Sequence, residues 1–362
     1  MPLLPLLDRL IGFPTVSSQS NLPLIDWAGA QLGAAGFAVT RIPSACGTKA
    51  GLLARFGTGP GGTLLSAHTD VVPVEGQDWT VAPFALTRRG ARLHGRGTTD
   101  MKGFIACVLA LAEGLRARPP ARPVMVALSW DEELGCRGIP QMIDRVIPVL
   151  GRPELCVVGE PTLLRMATGH KGKASYRAIC HGTAGHSALA PRYRNALHPA
   201  AELVLALRAA QERLLREGLR DPDQDPPCAT VHAGVLRGGV ALNVVPDRAE
   251  LLFEIRHLAQ ERPEDILAGI PVPEGVEIAC TGAYPGLETD PARLGALARL
   301  LPDPAPVKLA YGTEAGYFAG LGIPTAVCGP GTMEDGHQPD ESIAETELHA
   351  CLALLERLVR AG

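Results

Sequence analysis

The stretch Ser129-Trp-Asp-Glu-Glu-Leu-Gly-Cys136 places three carboxylates, Asp131, Glu132 and Glu133, almost directly after the apolar run Val124–Leu128. That run is short, β-branched at two positions and preceded by prolines, which predicts a buried strand. Adjacent acids at the end of a buried strand repel one another, and burying even one is costly unless a cation compensates. Related groups fall in AHTD (67–70), TTDMKG (98–103) and GEPT (159–162), and His337 lies in GPGTMEDGHQPDE. Taken singly, each has a plain reading. A histidine after a strand is commonly a hydrogen-bonded structural residue, Glu160-Pro161 is an ordinary turn, and Asp100 is an N-cap for the helix that follows. Together, His, Asp, Glu, Glu and His form the hard-to-borderline ligand set of a zinc-type site, with more carboxylates than one metal needs. One or two divalent cations are therefore the expected compensation, because the motifs lack the convergent Lys and Arg of a salt-bridged acidic cluster.

The first 170 residues alternate helix and strand: a helix over Leu24–Ala35, a strand over Thr63–Ala67, a helix over Phe104–Arg118, and strands over Val124–Trp130 and Glu154–Val158. Such alternation predicts an α/β domain with a mostly parallel sheet. Open sheets of this kind bind ligands outside the carboxyl ends of their strands, so the polar clusters converge on one edge. Beyond residue 170 the pattern changes to strand Lys173–Cys180, helix His198–Gly218, strands Ala229–Leu236 and Arg248–Arg256, helix Pro263–Ala268 and strand Val276–Cys280. The order β-α-β-β-α-β is that of a ferredoxin-like α+β unit. A strand Thr325–Cys328 and a helix Glu345–Ala361 then resume the first pattern. The expectation is a catalytic domain over residues 1–170 and 281–362, interrupted by an inserted domain over 171–280.

Composition excludes several classes. At 362 residues, 46% hydrophobic and 20% charged, the chain can build two globular cores. Aromatics are only 4% and the net charge is −4, so a nucleic-acid partner is not expected. No apolar run is long enough to cross a membrane. The N-terminal MPLLPLLDRLIGFPTV lacks a basic n-region and a small-residue cleavage site, which predicts an amphipathic helix instead of a signal peptide. Nine cysteines without a CxxC pair read as reduced core thiols of a cytoplasmic protein.

AHTDVVP, GRGTTDMKG, DEELG, GEPT and GHQPDE resemble, in order and over nearly the whole chain, the metal-site motifs of the dinuclear M20 metallopeptidase and deacylase family. GRGTTDMKGF, YGTEAGYF (311–318) and CGPGTMEDGHQPDE (328–341) look most like its acetylornithine deacetylases, and less like its succinyl-diaminopimelate desuccinylases. The resemblance implies a zinc-peptidase-like catalytic domain, an inserted dimerisation and lid domain, a homodimer, and two divalent ions, Zn²⁺ or Co²⁺. It assigns His68 and Glu160 to one ion, Glu133 and His337 to the other, and Asp100 to both. Glu132 becomes the general base and Asp70 the carboxylate that orients His68, which the two-residue period of a strand would place on the same face. A cis peptide is implied at Asp100–Met101. In GTAGHSALAP, His186 matches the histidine that polarises the scissile carbonyl from the partner subunit, and Asn243 and Arg256 match lid residues that contact the substrate's α-carboxylate. Glu314, with Glu334 and Asp335, is expected to form an acidic rim suited to a substrate amine; the plainer expectation for Glu314 is a cap on the following helix. The implied activity is hydrolysis of N2-acetyl-L-ornithine. Other N-acyl amino acids and dipeptides are the alternative substrates. A catalytically silent binding relative would lack a ligand or the base, and all are present. Ser187 and Cys136 have no base arrangement that would make either a nucleophile.

Overall fold

A computed structural model of the chain describes residues 2–361. They divide into two compact units, one formed by the segments up to Gly169, Thr289–Val307 and Thr313 onward, the other by His170–Glu288 and Lys308–Gly312. The expected boundary at residue 280 falls inside the strand Val276–Tyr284, which is paired along most of its length, so the second unit continues to Glu288.

The first unit is a mixed sheet with helices packed against it. Six neighbouring strands run in the order Ala38–Pro43, Ala50–Phe56, Val124–Ser129, Thr63–His68, Leu155–Pro161 and Thr325–Gly329. The last four are mutually parallel and buried along their length, which is why they read as continuous apolar runs. The first two strands pair antiparallel at one side and were not anticipated: Ala38–Pro43 is mostly exposed and carries Arg41 and Pro43, and Ala50–Phe56, though largely buried, carries Arg55. The helix Lys102–Leu115 is buried on nearly every face, with Leu3–Ile11 and Glu345–Leu358 contributing to the same core, so its all-round apolar sequence needs no polar side.

Register decides what meets at the edge of the sheet. Thr63 pairs with both Val124 and Leu155, and His68 lies opposite Ser129, so the parallel strands end level. The acids after Ser129 and the Glu160 carboxylate therefore emerge beside His68. One glycine makes this packing possible: a Cβ on Gly159 would lie 2.1 Å from the Phe104 ring. A separate three-stranded sheet pairs Ser342–Ala344 with Arg92–His94, and Arg92–His94 with Thr87–Arg89, so the C-terminal loop runs beside the segment leading to Asp100.

The second unit has the antiparallel order Thr230–Gly238, Arg248–His257, Gly172–His181, Val276–Tyr284, which is the ferredoxin-like arrangement. The helices Leu197–Glu217 and Pro263–Ala268 cover one face, burying Leu203, Leu207 and Ile266 against Tyr176, Leu251 and Phe253. Among the described residues no helix is long and apolar enough to cross a membrane.

The close approach at Gly159 is testable. Gly159→Ala should destabilise the chain by about 1–3 kcal/mol through overpacking, and Phe104→Ala in the same chain should relieve part of that strain. Thermal midpoints of the two single variants and the double variant measure the coupling; strict additivity would mean that the ring and residue 159 do not touch.

Candidate metal centre

Each candidate ligand is delivered by a different element of the first unit. His68 is the last residue of its strand, Glu160 sits inside Leu155–Pro161, Glu132 and Glu133 follow Val124–Ser129, and His337 lies in the loop before Ser342–Ala344. Asp100 precedes the helix Lys102–Leu115, whose N-cap residue is Met101 with no side-chain capping bond. Asp100 is thus not the cap that its position suggests, and its carboxylate turns to the histidines instead. The Asp100–Met101 peptide is cis, as the resemblance implies.

The geometry centres on Asp100. Its Oδ1 lies 2.9 Å from His68 Nε2 and its Oδ2 lies 3.0 Å from His337 Nε2. His68 Nε2 is also 3.7 Å from Glu160 Oε1, and His337 Nε2 is 3.1 Å from Glu133 Oε2. Among the described residues, two groups have donor atoms all within 4.8 Å of one another: His68 with Glu132 and Glu160, and His68 with Asp100 and Glu133. All five predicted ligands and the predicted base therefore come together. Cys136, one turn after Glu132, donates its thiol to Glu132 Oε1 at 3.4 Å.

Burial sets the electrostatics. It lifts the Glu132 and Glu160 carboxyls well above the usual carboxylate range, with neighbouring acids adding to the effect and His68 opposing it. Glu133 is pushed up to about 7 by burial and by the Asp100 charge. Burial works against charge on Asp100 as well, but hydrogen bonds with His337 and His68 hold it below its usual range. Burial likewise opposes a charged His68, yet Glu160, Asp100 and Asp70 raise that imidazole well above its ordinary value. Hydrogen bonds with Asp100 and Glu133 lift His337 to about 10. Burial thus raises Glu132, Glu133 and Glu160, while the neighbouring acids raise both imidazoles, as expected of a donor set short of positive charge. Oxygen and imidazole donors with this shortage of positive charge fit divalent cations of the zinc type.

A side-chain cation from outside the quoted motifs compensates one acid of the triple. Lys49 bonds Asp131 and the Ser17 carbonyl, so Asp131 is paired and only Glu132 and Glu133 of the triple acid face the centre. Asp131 holds a left-handed conformation, φ 55°, as does Cys136 at φ 56°, so the loop turns sharply out of the strand. Lys102 is buried beneath, donating to the Phe13 carbonyl at 2.7 Å, and burial lowers it to about 7.

Asp70 lies beside His68 as expected, although not by the strand period. The strand ends at His68, so the two-residue period does not extend to Asp70. His68 Nδ1 meets the backbone carbonyl of Asp70 at 2.9 Å, with the carboxylate at 3.6 Å. The carboxylate, while it supports charge on His68, also accepts the Ser17 hydroxyl at 2.7 Å and the backbone N–H groups of Glu132 and Glu133 at 3.1 and 3.3 Å. It therefore braces the loop that carries both glutamates.

Glu314 is not on a rim. It is only 2% exposed, makes no capping bond to the helix Ala315–Gly320, and accepts the Ser129 hydroxyl at 2.8 Å on Oε2. Its Oε1 is buried without a hydrogen-bond partner among the described residues, and burial pushes the carboxyl up to about 7. Asp335, the other expected rim acid beside Glu334, pairs with Arg92 at 2.5 Å. Arg96 and Glu341, which belong to the quoted motifs but not to the predicted ligands, form a buried ion pair directly behind Asp100.

The remaining candidates lie in the second unit. His186 and Asn243 are neighbours: Gly185–His186 pairs with Val244–Val245, and the Asn243 carbonyl accepts the Ser187 N–H at 3.1 Å. His186 Nδ1 accepts the Ala188 N–H at 3.1 Å. Arg256 stands elsewhere on that unit, on the strand Arg248–His257, with its Nε donating to Glu254 Oε1 at 2.9 Å.

Comparison with known proteins places this geometry in a family. Residues 64–361 match the model of peptidase family M20/M25/M40. The acetylornithine deacetylase of Myxococcus xanthus is 34% identical, with 98% of this chain and 95% of that protein covered. The acetylornithine deacetylase of Photorhabdus laumondii subsp. laumondii is 32% identical, with 99% and 96% covered. Among solved structures, an M20 family metallo-carboxypeptidase from Sulfolobus solfataricus superposes with a TM-score of 0.80 at 17% identity, covering 99% of each chain. A dinuclear metal binding M20 peptidase from Bacillus subtilis does so with a TM-score of 0.68 at 16% identity, covering 99% of this chain and 96% of that one. With the family match running over most of its length and its relatives alike from end to end, this chain belongs to peptidase family M20/M25/M40 and is a hydrolase of that family.

Proposed function

We propose that this hydrolase cleaves N2-acetyl-L-ornithine with water to L-ornithine and acetate, at a centre that holds two divalent ions, Zn²⁺ or Co²⁺. The observation that carries the dinuclear reading is Asp100, whose two oxygens each meet a different imidazole. The substrate reading rests on the acetylornithine deacetylases to which the whole chain is similar. His68 and Glu160 would hold one ion, Glu133 and His337 the other, and Asp100 both. When bound, such ions lower the pKa of a water and polarise a carbonyl oxygen.

The chain's own groups do the rest. Glu132 takes the proton of the attacking water and returns it to the departing amine as the amide C–N bond breaks. Asp70 braces its backbone and the Cys136 thiol its carboxylate, so the base is held in one place. His186 accepts a backbone N–H on Nδ1, which leaves the neutral ring with its proton on Nε2, the donor that a carbonyl oxygen requires. Its proposed use is in a homodimer, with His186 of one subunit serving the centre of its partner. Asn243 beside it and Arg256 are the proposed contacts to the α-carboxylate. The product would feed arginine biosynthesis in the cytoplasm.

Removing metal with a chelator should abolish hydrolysis, and adding Zn²⁺ or Co²⁺ should restore it; full turnover in metal-free protein would sink the mechanism. Glu132→Gln should retain both metals and lose about 10²–10⁴ in kcat, the usual contribution of general acid–base catalysis, whereas Glu133→Gln should lower metal content. Metal analysis giving the opposite pattern would exchange the two roles. For substrate, kcat/KM for N2-acetyl-L-ornithine should exceed that for N-succinyl-diaminopimelate at least tenfold, about 1.4 kcal/mol. Equal or reversed values would overturn the substrate and leave the hydrolase.

A further inference from the structure

We propose that the buried Arg96–Glu341 ion pair is a clamp that sets Asp100 against His337, and so governs how tightly the centre holds its metals. The inference rests on the assignment of those two residues as ligands. Arg96 is 1% exposed and Glu341 2% exposed, with Nη1 and Oε2 2.8 Å apart.

Each end of the pair holds a different part of the centre. Glu341 Oε1 accepts the backbone N–H of Thr99 at 2.9 Å and of Asp100 at 3.0 Å, and Oε2 accepts that of Gly97 at 3.0 Å. One carboxylate thus pins the backbone that carries the shared ligand. Arg96 reaches the opposite way. Its Nη1 donates to the Gln338 carbonyl at 3.3 Å, and its Nη2 donates to Gln77 Oε1 at 2.5 Å and to the Pro73 carbonyl at 3.4 Å. Gln77 in turn donates to the His337 carbonyl at 2.9 Å, and the guanidinium lies 4.9 Å from the Trp79 ring centroid. His337 itself adopts φ 60°, a backbone conformation that a non-glycine residue holds only when its surroundings fix it.

Charge argues that the pair has a task beyond packing. Glu341 adds a further buried carboxylate behind a centre already crowded with them, and a buried ion pair gives little net stability over well-packed apolar residues. Its value lies in direction. Ligand distances in a metal site tolerate deviations of only about 0.2 Å, so the backbone of Asp100 must be fixed from behind. Arg96 and Glu341 are positioning residues and touch neither metal nor substrate. Changes to residues that orient metal ligands commonly cost about 10–100-fold in metal affinity.

The test is Co²⁺ titration of the apoprotein, followed by equilibrium dialysis and by the cobalt d–d absorption, with the thermal midpoint of the apoprotein as the folding control. Glu341→Gln keeps the side-chain size and removes the charge; Gln77→Ala lies on the partly exposed side of the clamp and cuts the link from Arg96 to His337 while leaving Glu341 on the Asp100 backbone. Glu341→Gln should weaken Co²⁺ binding at least tenfold and alter the d–d spectrum. Wild-type affinity and spectrum in folded Glu341→Gln would reduce the pair to a structural contact and overturn the clamp. Should that variant not fold, Gln77→Ala decides by the same measure, with weaker binding of one Co²⁺ equivalent expected. Failure of the wild-type chain to bind Co²⁺ would instead overturn the ligand assignment itself.

Discussion

The first unit is organised around one electrostatic problem: Asp70, Asp100, Glu132, Glu133 and Glu160 are gathered about His68 with little water to screen them. In so dry a setting like charges repel strongly, and an unpaired carboxylate is costly. The protein answers by raising the His68 imidazole and the Glu132 and Glu160 carboxyls, by holding Asp70 and Asp100 low through hydrogen bonds, and with a donor set shaped for cations. The surrounding structure can be understood as the means of holding that arrangement together.

The means are mostly backbone donors and hydroxyls, with few charges. Asp70 takes two N–H groups and the Ser17 hydroxyl, Glu341 takes three N–H groups, and Glu314 takes the Ser129 hydroxyl. Neutral donors of this kind stabilise a carboxylate and orient it without competing for the place of a metal. Where side-chain cations are used, Lys49 on Asp131 and Arg96 on Glu341, they bind acids that are not proposed ligands. The distribution separates acids that build the site from acids that present it.

The second unit follows another logic. Its antiparallel sheet and covering helices form a core of their own, with Tyr176 and Phe253 stacked at 5.1 Å. Its candidate groups sit on a short ribbon carrying His186 and Asn243, and on the long strand carrying Arg256. The Arg256 guanidinium is already engaged by Glu254, so binding a carboxylate there would have to share or displace that partner.

Much of this was legible in the sequence because it is local. Apolar runs of strand length, the helical period of Leu197–Glu217, and motifs with acids just past a strand all express short-range rules of burial and pleat. Local pattern marked the acids and histidines at the strand ends for that reason, the resemblance to the M20 family gave them their expected roles, and register brought them together. What required the tertiary structure was every pairing across long stretches of chain. Lys49 meets Asp131 because the strands that they flank, Ala50–Phe56 and Val124–Ser129, are neighbours in the sheet. Asp70 braces Glu132 and Glu133 because the strand stops at His68, and Glu314 is buried because its helix packs where Ser129 emerges. Residues 73–79 and 337–341 close on Arg96, although more than 240 positions separate Arg96 from Glu341. Local propensity determines which residues form elements and where they end. Which charges share a buried space is decided by packing, since a side chain's cost or benefit depends on neighbours that adjacent residues do not specify.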